Sequence, residues 1–346
     1  FPTRRSSDLG TVTDEQNYLK FESEWDGKYE YDGITTRDDN IYTAAEFAII
    51  AASTPSGYKN YKLKTSIDLA NIDWKGFAPT NFYFDGNDNT IENVKFAATA
   101  KGFFNSLSGY ASARHIKNLN LKTVDASAAT ADGVGALIGS IGNGTANANK
   151  VEISGVKITG VTGLGSKAST SYNVGGMIGQ VNAATVEITN SSVKAATAIA
   201  GYYNIGGTIG SITGGSVVTI QKAPNTVSAF EVYTDGPVGT VAERQKYGTV
   251  GQVVGSILDE SSKLTLGATG DDYKSVYTKN AVSNNKAALG FNNNYTIDPD
   301  SGAKNYFKGG LSAVGYSAKL VDNQITYTGK QKEATEVNTW STTANK

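Results

Sequence analysis

From residue 61 onward, apolar side chains recur at alternate positions in short runs: YKLKTSIDL, NFYFDGNDNTIENVKF, HIKNLNLKTV, VEISGVKITGV, VEITNSSVKA, VVTI and LTL. Gly, Asn, Ser and Ala fill the gaps between them. A two-residue period marks strands with one buried face, and many short strands with frequent turns predict an all-β fold. One segment breaks the period. Residues 41–52, IYTAAEFAIIAA, set Ala44, Phe47, Ala48 and Ala51 at helical spacing, and the offset from Thr43 to Glu46 fits a capping box. That predicts one short helix capping the strands after it. Residues 11–40 are polar and rich in Asp and Glu, with scattered aromatics such as Trp25 and Tyr31, as expected of an irregular lead-in or a first strand or two.

A hexapeptide repeats inside this pattern. Val134-Gly135-Ala136-Leu137-Ile138-Gly139 returns as Val174-Gly175-Gly176-Met177-Ile178-Gly179, as Ile205-Gly206-Gly207-Thr208-Ile209-Gly210 and as Val250-Gly251-Gln252-Val253-Val254-Gly255. The starts are 40, 31 and 45 residues apart. Positions one and five are always Val or Ile, and positions two and six are always Gly. Strand-like runs beginning at Val151, Val186, Val217 and Leu264 follow the copies, and GFFNSL at 102–107 resembles a degenerate earlier copy. In a strand, positions one, three and five share a face, so two branched side chains would flank a small one. The small position leaves room for a neighbour from another wall of a narrow core. The glycines suit close backbone approach, or a positive φ where one strand bends into the next. A single coil cannot bury its own apolar face, but stacked coils can, which is the logic of a solenoid. Eight to ten coils at a strand spacing of ~4.8 Å would make a rod about 40–50 Å long. A β-sandwich with Gly-rich hairpins, or a small barrel, also explains short strands but not four hexapeptides in one phase.

These motifs resemble the GLUG-repeat family of bacterial surface proteins. Besides the hexapeptides, the resemblance rests on the helix-like 41–52, on Ile67-Asp68-Leu69, on Asp85-Gly86-Asn87 with Thr90-Ile91, and on Ile116-Lys117-Asn118-Leu119. Where the family carries G-L-F-G, this chain has Gly102-Phe103-Phe104-Asn105, a departure at two positions. The match covers residues 41–268. It implies a right-handed parallel β-helix entered by a short N-terminal capping helix, in a secreted or surface-anchored protein; residues 271–346 fall outside the match, and their alternating runs read as a C-terminal β extension. Three segments are expected: a lead-in over 1–40, a parallel β-helix over 41–270, and a C-terminal cap or small β domain over 271–346. The first nine residues, FPTRRSSDL, resemble translated sequencing-adapter DNA and carry no weight for the fold. A leader or anchor is expected outside this sequence. The family motif is structural and brings no catalytic residue with it.

Composition narrows the chemistry. Lys plus Arg is 31 and Asp plus Glu is 32, a net charge of -1, which gives no support to a nucleic-acid partner. The chain has no cysteine, so thiolate metal sites and disulfides are excluded. No apolar run is long enough to span a bilayer as a helix. With a single histidine, His115, expected as a solvated corner residue, His-dependent hydrolysis is hard to build. HExxH, P-loop, G-x-S-x-G and dinucleotide motifs are missing. Parallel β-helices do include polysaccharide lyases and glycoside hydrolases, which need a carboxylate pair or an acidic cation cluster. Candidate acids are Asp85, Asp88 and Asp271-Asp272. Glu152 and Glu187 hold equivalent places on two coils and are expected to form a surface ladder. Asp298-Pro299-Asp300-Ser301-Gly302 fits an Asp-Pro turn better than a calcium loop. Tyr172 and Tyr203 precede the second and third hexapeptides at the same relative place, with Tyr202 beside them. A row of tyrosines there would stack on sugar rings or cover the flank of the rod. Trp74 is expected in the core. The function expected is a non-catalytic adhesin or stalk module, with a carbohydrate-binding module as alternative and a lyase or glycoside hydrolase behind it. Its partner would be a host or neighbouring-cell surface protein or glycan. Neither cofactor nor metal is expected.

Overall fold

The computed structural model describes residues 40–42, 44–53, 59–79, 82–108, 114–142, 149–166, 171–201, 204–221, 230–232, 250–251, 253–259, 261–266, 275–278, 316–321, 324–329 and 339–340. Three stacks of parallel strands form the walls of an open, solenoid-like β structure. Sheet I has nine strands: Asn40–Ile41, Lys59–Leu63, Phe82–Asp85, Arg114–Lys117, Asn149–Ser154, Ala184–Thr189, Val217–Gln221, Lys263–Leu266 and Ser275–Thr278. Only the last pairs antiparallel. Sheet II stacks Ile67–Asp68 and Asp73–Trp74 on Thr90–Phe96, then Asn120–Asp125, Lys157–Thr162 and Ser192–Ala195. Sheet III stacks Phe104–Leu107, Ile138–Ile141, Ile178–Asn182, Ile209–Thr213 and Val254–Ile257. From Phe82 to Thr213 the chain visits sheet I, then sheet II, then sheet III, and steps up one strand each time. Five turns reach sheet III among the described residues, and sheet I stacks eight parallel strands.

Like residues stack on like. Phe104 lies in register with Ile138, Ile138 with Ile178, Ile178 with Ile209, and Ile209 with Val254. A second column in the same wall runs Leu107, Ile141, Val181, Ile212, Ile257. Sheet I contributes Phe84, Ile116, Ile153, Ile188 and Ile220, and sheet II contributes Ile91, Leu121, Ile158 and Val193. All of these are buried in one continuous core. Val217 starts its strand but is 39% exposed, because Val218 takes the inward place beside Val186.

The hexapeptide is a corner rather than a single strand. Its first two residues form a short parallel sheet, Val174–Gly175, Ile205–Gly206 and Val250–Gly251, which a bridge from Gly135 extends. In the first three copies the chain bends at positions three and four, and position five begins the sheet III strand. Close approach, not positive φ, selects the glycines: among the described residues those with positive φ include no hexapeptide glycine. A Cβ on Gly175 would meet the Ile178 carbonyl of its own copy and fall 2.6 Å from Gly210 N on the next coil. One on Gly210 would lie 2.5 Å from Gly179 O on the coil before. At the third position a Cβ on Gly176 would first strike the Gly207 carbonyl of the next coil, with Val193 Cγ1 of sheet II 3.2 Å away, so inter-coil approach more than the neighbouring wall keeps this place small.

Left-handed residues turn sheet I into sheet II. Asn118, Gly155 and Asn190 hold φ of 52°, 68° and 48° at equivalent corners. Their amides donate to Ser154 O, Thr189 O and Gln221 O of the next coil, so these three corner N–H groups are paired. Asn tolerates this conformation better than other side-chain-bearing residues, which explains the Asn of Ile116-Lys117-Asn118-Leu119.

Helix α1 spans Ala44–Ser53, two residues after the strand Asn40–Ile41 that occupies the start of the expected helical stretch. Glu46 reaches back to its N-terminus as a capping carboxylate does, but accepts the amide of Tyr42, at 2.6 Å. Thr43 lies outside the described residues. Phe47 on this helix is fully buried, its ring 5.2 Å from Trp74 and 5.4 Å from Phe103, both stacked. Trp74 is core, as expected, and its indole N–H donates to Phe103 O. At the other end Ser275–Thr278 pairs antiparallel with Lys263–Leu266. Tyr316–Val321, Gln324–Gly329 and Thr339–Trp340 continue antiparallel from Phe230–Val232, which itself pairs with Ile199–Gly201. Asp271, Asp272 and the segment 298–302 lie outside the described residues.

Candidate functional site

The outer face of sheet I carries a groove of about 560 Å³ at its N-terminal strands, lined by Lys62, Lys64, Tyr83, Asp85, His115 and Lys117 among others. Strand alternation builds it. Inward Phe84 and Ile116 are in register, so outward Tyr83 faces His115, and outward Asp85 faces Lys117. One coil earlier, Asn60 stands beside Tyr83 and Lys62 beside Asp85. His115 sits inside a strand and is one third exposed, not at a solvated corner. Its ring lies 5.0 Å from that of Tyr83 at a 33° tilt, and its Nδ1 is 2.7 Å from Glu152 Oε2.

The carboxylates here are engaged. Glu152 also holds Lys150 Nζ at 2.5 Å and stacks in register on Glu187, the ladder expected on adjacent coils. Asp85 accepts the Asn87 amide at 2.9 Å and Asn118 Nδ2 at 3.3 Å, with Lys117 Nζ at 3.5 Å. Burial pushes the Asp85 carboxyl up, but those hydrogen bonds and the Lys117 charge outweigh it and hold it below the usual range. A carboxylate held ionised suits charge pairing and is a poor proton donor. Asp85-Gly86-Asn87-Asp88-Asn89 forms a turn with Asn87 and Asp88 left-handed. Among the described residues no group of three or more His, Asp or Glu could hold a metal ion.

Tyr172 stands apart from this groove, just before the second hexapeptide, while Tyr202 and Tyr203 lie outside the described residues. The Tyr172 hydroxyl is bonded to Asp132, whose charge, with some burial, pushes the phenol up. Asp132 terminates a polar ladder: Asn204 Nδ2 donates to Asn173 Oδ1 at 2.8 Å, and Asn173 Nδ2 to Asp132 Oδ1 at 2.7 Å. Burial pushes the Asp132 carboxyl up, against the hydrogen bonds of Asn173, Gly133 and Tyr172 and the charge of Lys101. Asn173 and Asn204 are left-handed at the corner before their hexapeptides.

Tyr83, Lys62, Lys64 and Lys117 are the residues that reading along the chain did not single out. Aligning FYFD with HIKN on their inward residues puts Tyr83 with His115 and Asp85 with Lys117, and that alignment is the signal that finds them. Among the described residues no helix is long and apolar enough to cross a membrane. Comparison of the chain with protein-family models, with curated proteins and with solved structures finds no match.

Proposed function

We propose that this chain is a right-handed parallel β-helix of GLUG-repeat type and serves as a non-catalytic adhesin or stalk module, secreted by or anchored on a bacterial cell. The observation that carries the reading is the in-register stacking of the hexapeptides, a repetitive stack whose outer face carries ion pairs such as Lys117–Asp85 and Lys150–Glu152. The right-handed sense is the one that crossovers between parallel strands take. Strands Ser275–Thr278, Tyr316–Val321, Gln324–Gly329 and Thr339–Trp340 add antiparallel to strands of the stack, which would shield open edges from pairing with other chains. Asp85 and Glu152 are both tied into ion pairs, an arrangement suited to a binding surface more than to acid catalysis. The expected partner is a protein or glycan on a host or neighbouring cell.

A carbohydrate-binding module is the second reading, favoured by the Tyr83–His115 ring pair in the groove. Beads coated with the purified chain test the first. They should adhere to epithelial or bacterial cell layers above albumin-coated beads, and polysaccharides incubated with the chain should gain neither reducing ends nor unsaturated uronate. Absent adhesion removes the adhesin role, and new chain ends replace the binding reading with an enzymatic one.

A further inference from the structure

We propose that the groove on the outer face of sheet I binds an anionic sugar ring, a uronate- or sulfate-bearing pyranose within a glycan, with the ring stacked on Tyr83 and its acidic group held by Lys62 and Lys64. This deepens the adhesive reading by naming the ligand class, and rests on that reading only for where such a glycan is met.

The first argument is shape. Asn60, Tyr83 and His115 share one outward row on successive strands. The ring separation of 5.0 Å matches the strand spacing and the tilt is shallow, so the two rings lie one above the other along the stack. Glu152 fixes His115 from the far side. One face of Tyr83 is therefore covered by an anchored imidazole. Its other face looks toward Asn60, a short side chain on the preceding coil, and there the groove opens. A partly exposed aromatic face held rigidly beside a cavity is what the C–H face of a pyranose needs, because the ring loses little freedom on binding.

The second argument is charge. Lys62, Asp85 and Lys117 form the neighbouring row. Asp85 is committed to Lys117, Asn118 and Asn87. Lys62 and Lys64 make no ion pair among the described residues, although both line the groove. A neutral sugar would leave both ammonium groups unpaired, whereas a carboxylate or sulfate satisfies them. A nucleic acid fits less well: consecutive phosphates need a continuous basic track, and Asp85 interrupts this one while Glu152 closes its far side.

Calorimetric titration of the full chain tests this with four hexamers: oligogalacturonate, a heparin-type sulfated oligosaccharide, cellohexaose and single-stranded DNA. At least one acidic sugar should bind roughly tenfold tighter than cellohexaose, with affinity falling as salt rises. Tyr83→Ala and Tyr83→Leu should each weaken it by roughly tenfold. Lys62→Gln with Lys64→Gln should bring it to the level of cellohexaose and remove the salt dependence. Lys122→Gln, on the sheet II strand Asn120–Asp125 outside the groove, should change nothing. The Leu variant keeps apolar bulk, so a loss shared by both Tyr83 variants at unchanged melting temperature belongs to the ring. Which acidic hexamer responds tells carboxylate from sulfate. The inference is overturned if no sugar binds, if cellohexaose binds as tightly, if the lysine variants bind normally, or if DNA matches the acidic sugars. Bead adhesion that survives in Tyr83→Ala would sink the groove and spare the adhesive reading. Sugar binding without adhesion would do the reverse.

Discussion

Glycines hold this stack together in two ways, and a side chain should damage them unequally. Gly175 has no positive φ, yet a Cβ there would strike two backbone groups, the Ile178 carbonyl and Gly210 N on the next coil. Neither can swing aside without parting the coils. Gly215 is the opposite case: its φ is 73°, but a Cβ would meet nothing nearer than Ser261 Oγ at 3.3 Å. Gly175→Ala should cost about 3 kcal/mol, and Gly215→Ala about 1 kcal/mol. Urea midpoints of the two variants check this, and equal costs would mean that φ, not inter-coil distance, selects glycine. Asp259 offers a test by pH. Its carboxylate accepts Ser261 N at 3.0 Å, Ser262 N at 2.9 Å and the hydroxyls of both serines at 2.6 and 2.8 Å. Partial burial pushes it up, but these bonds prevail and bring it down to about 2. The folded state therefore favours the ionised form. The stabilisation is present above the ordinary value of 3.8 and is lost as pH falls through about 2. Because the group is largely solvated, screening leaves roughly 1 kcal/mol of it. Asp259→Asn should lower stability at neutral pH by about that amount and flatten the acid limb of the melting-temperature profile. An unchanged acid limb would assign it to other carboxylates.

Elements bring in a conflict between rows. Between the two apolar columns of sheet III runs a polar row: Ser106, Ser140, Gln180, Ser211 and Ser256, all in register. The first three are half-buried. Ser211 and Ser256 are fully buried, and neither hydroxyl has a hydrogen-bond partner. An unsatisfied buried hydroxyl costs on the order of 1–3 kcal/mol, so removing it relieves more than it loses. Ser211→Ala should raise the urea midpoint by an equivalent of about 1 kcal/mol; a lower midpoint would show that the hydroxyl is bonded after all. The apolar columns flanking this row were legible along the chain, since Ile138, Ile178 and Ile209 keep one phase within the glycine pattern. The bend inside the hexapeptide was not. Val-Gly-x-x-Ile-Gly reads equally as one strand or as a corner, and what separates the two is the contact of Gly175 with Gly210 on another coil. Val217 does begin its strand, but its phase was not legible for a related reason: two adjacent valines satisfy either phase, and only the pairing of Val186 with Val218 decides. The groove escaped because its residues are outward alternates of separate strands, polar and inconspicuous until the coils are laid in register.

At the scale of the molecule, the core is graded. Its N-terminal end is aromatic, with Phe47, Trp74, Phe77, Phe82, Phe84, Phe103 and Phe104 packed ring to ring, whereas later coils carry branched aliphatics in the same columns. Each coil touches mainly the coils before and after it, so stability should spread as nearest-neighbour terms along the stack rather than as one global quantity. Phe47 is the point at which to press this. It belongs to α1, outside the walls, and its ring contacts Trp74, Phe77, Phe84 and Phe103. Phe47→Ala should cost about 3–5 kcal/mol of local stability. In native-state hydrogen exchange the loss should appear in Lys59–Leu63 and Phe82–Asp85 and fade along the stack, leaving Ile209–Thr213 at its original protection. A uniform loss across all these strands would mean that the coils open together, and that the aromatic end supports the whole rod instead of sealing one end of it.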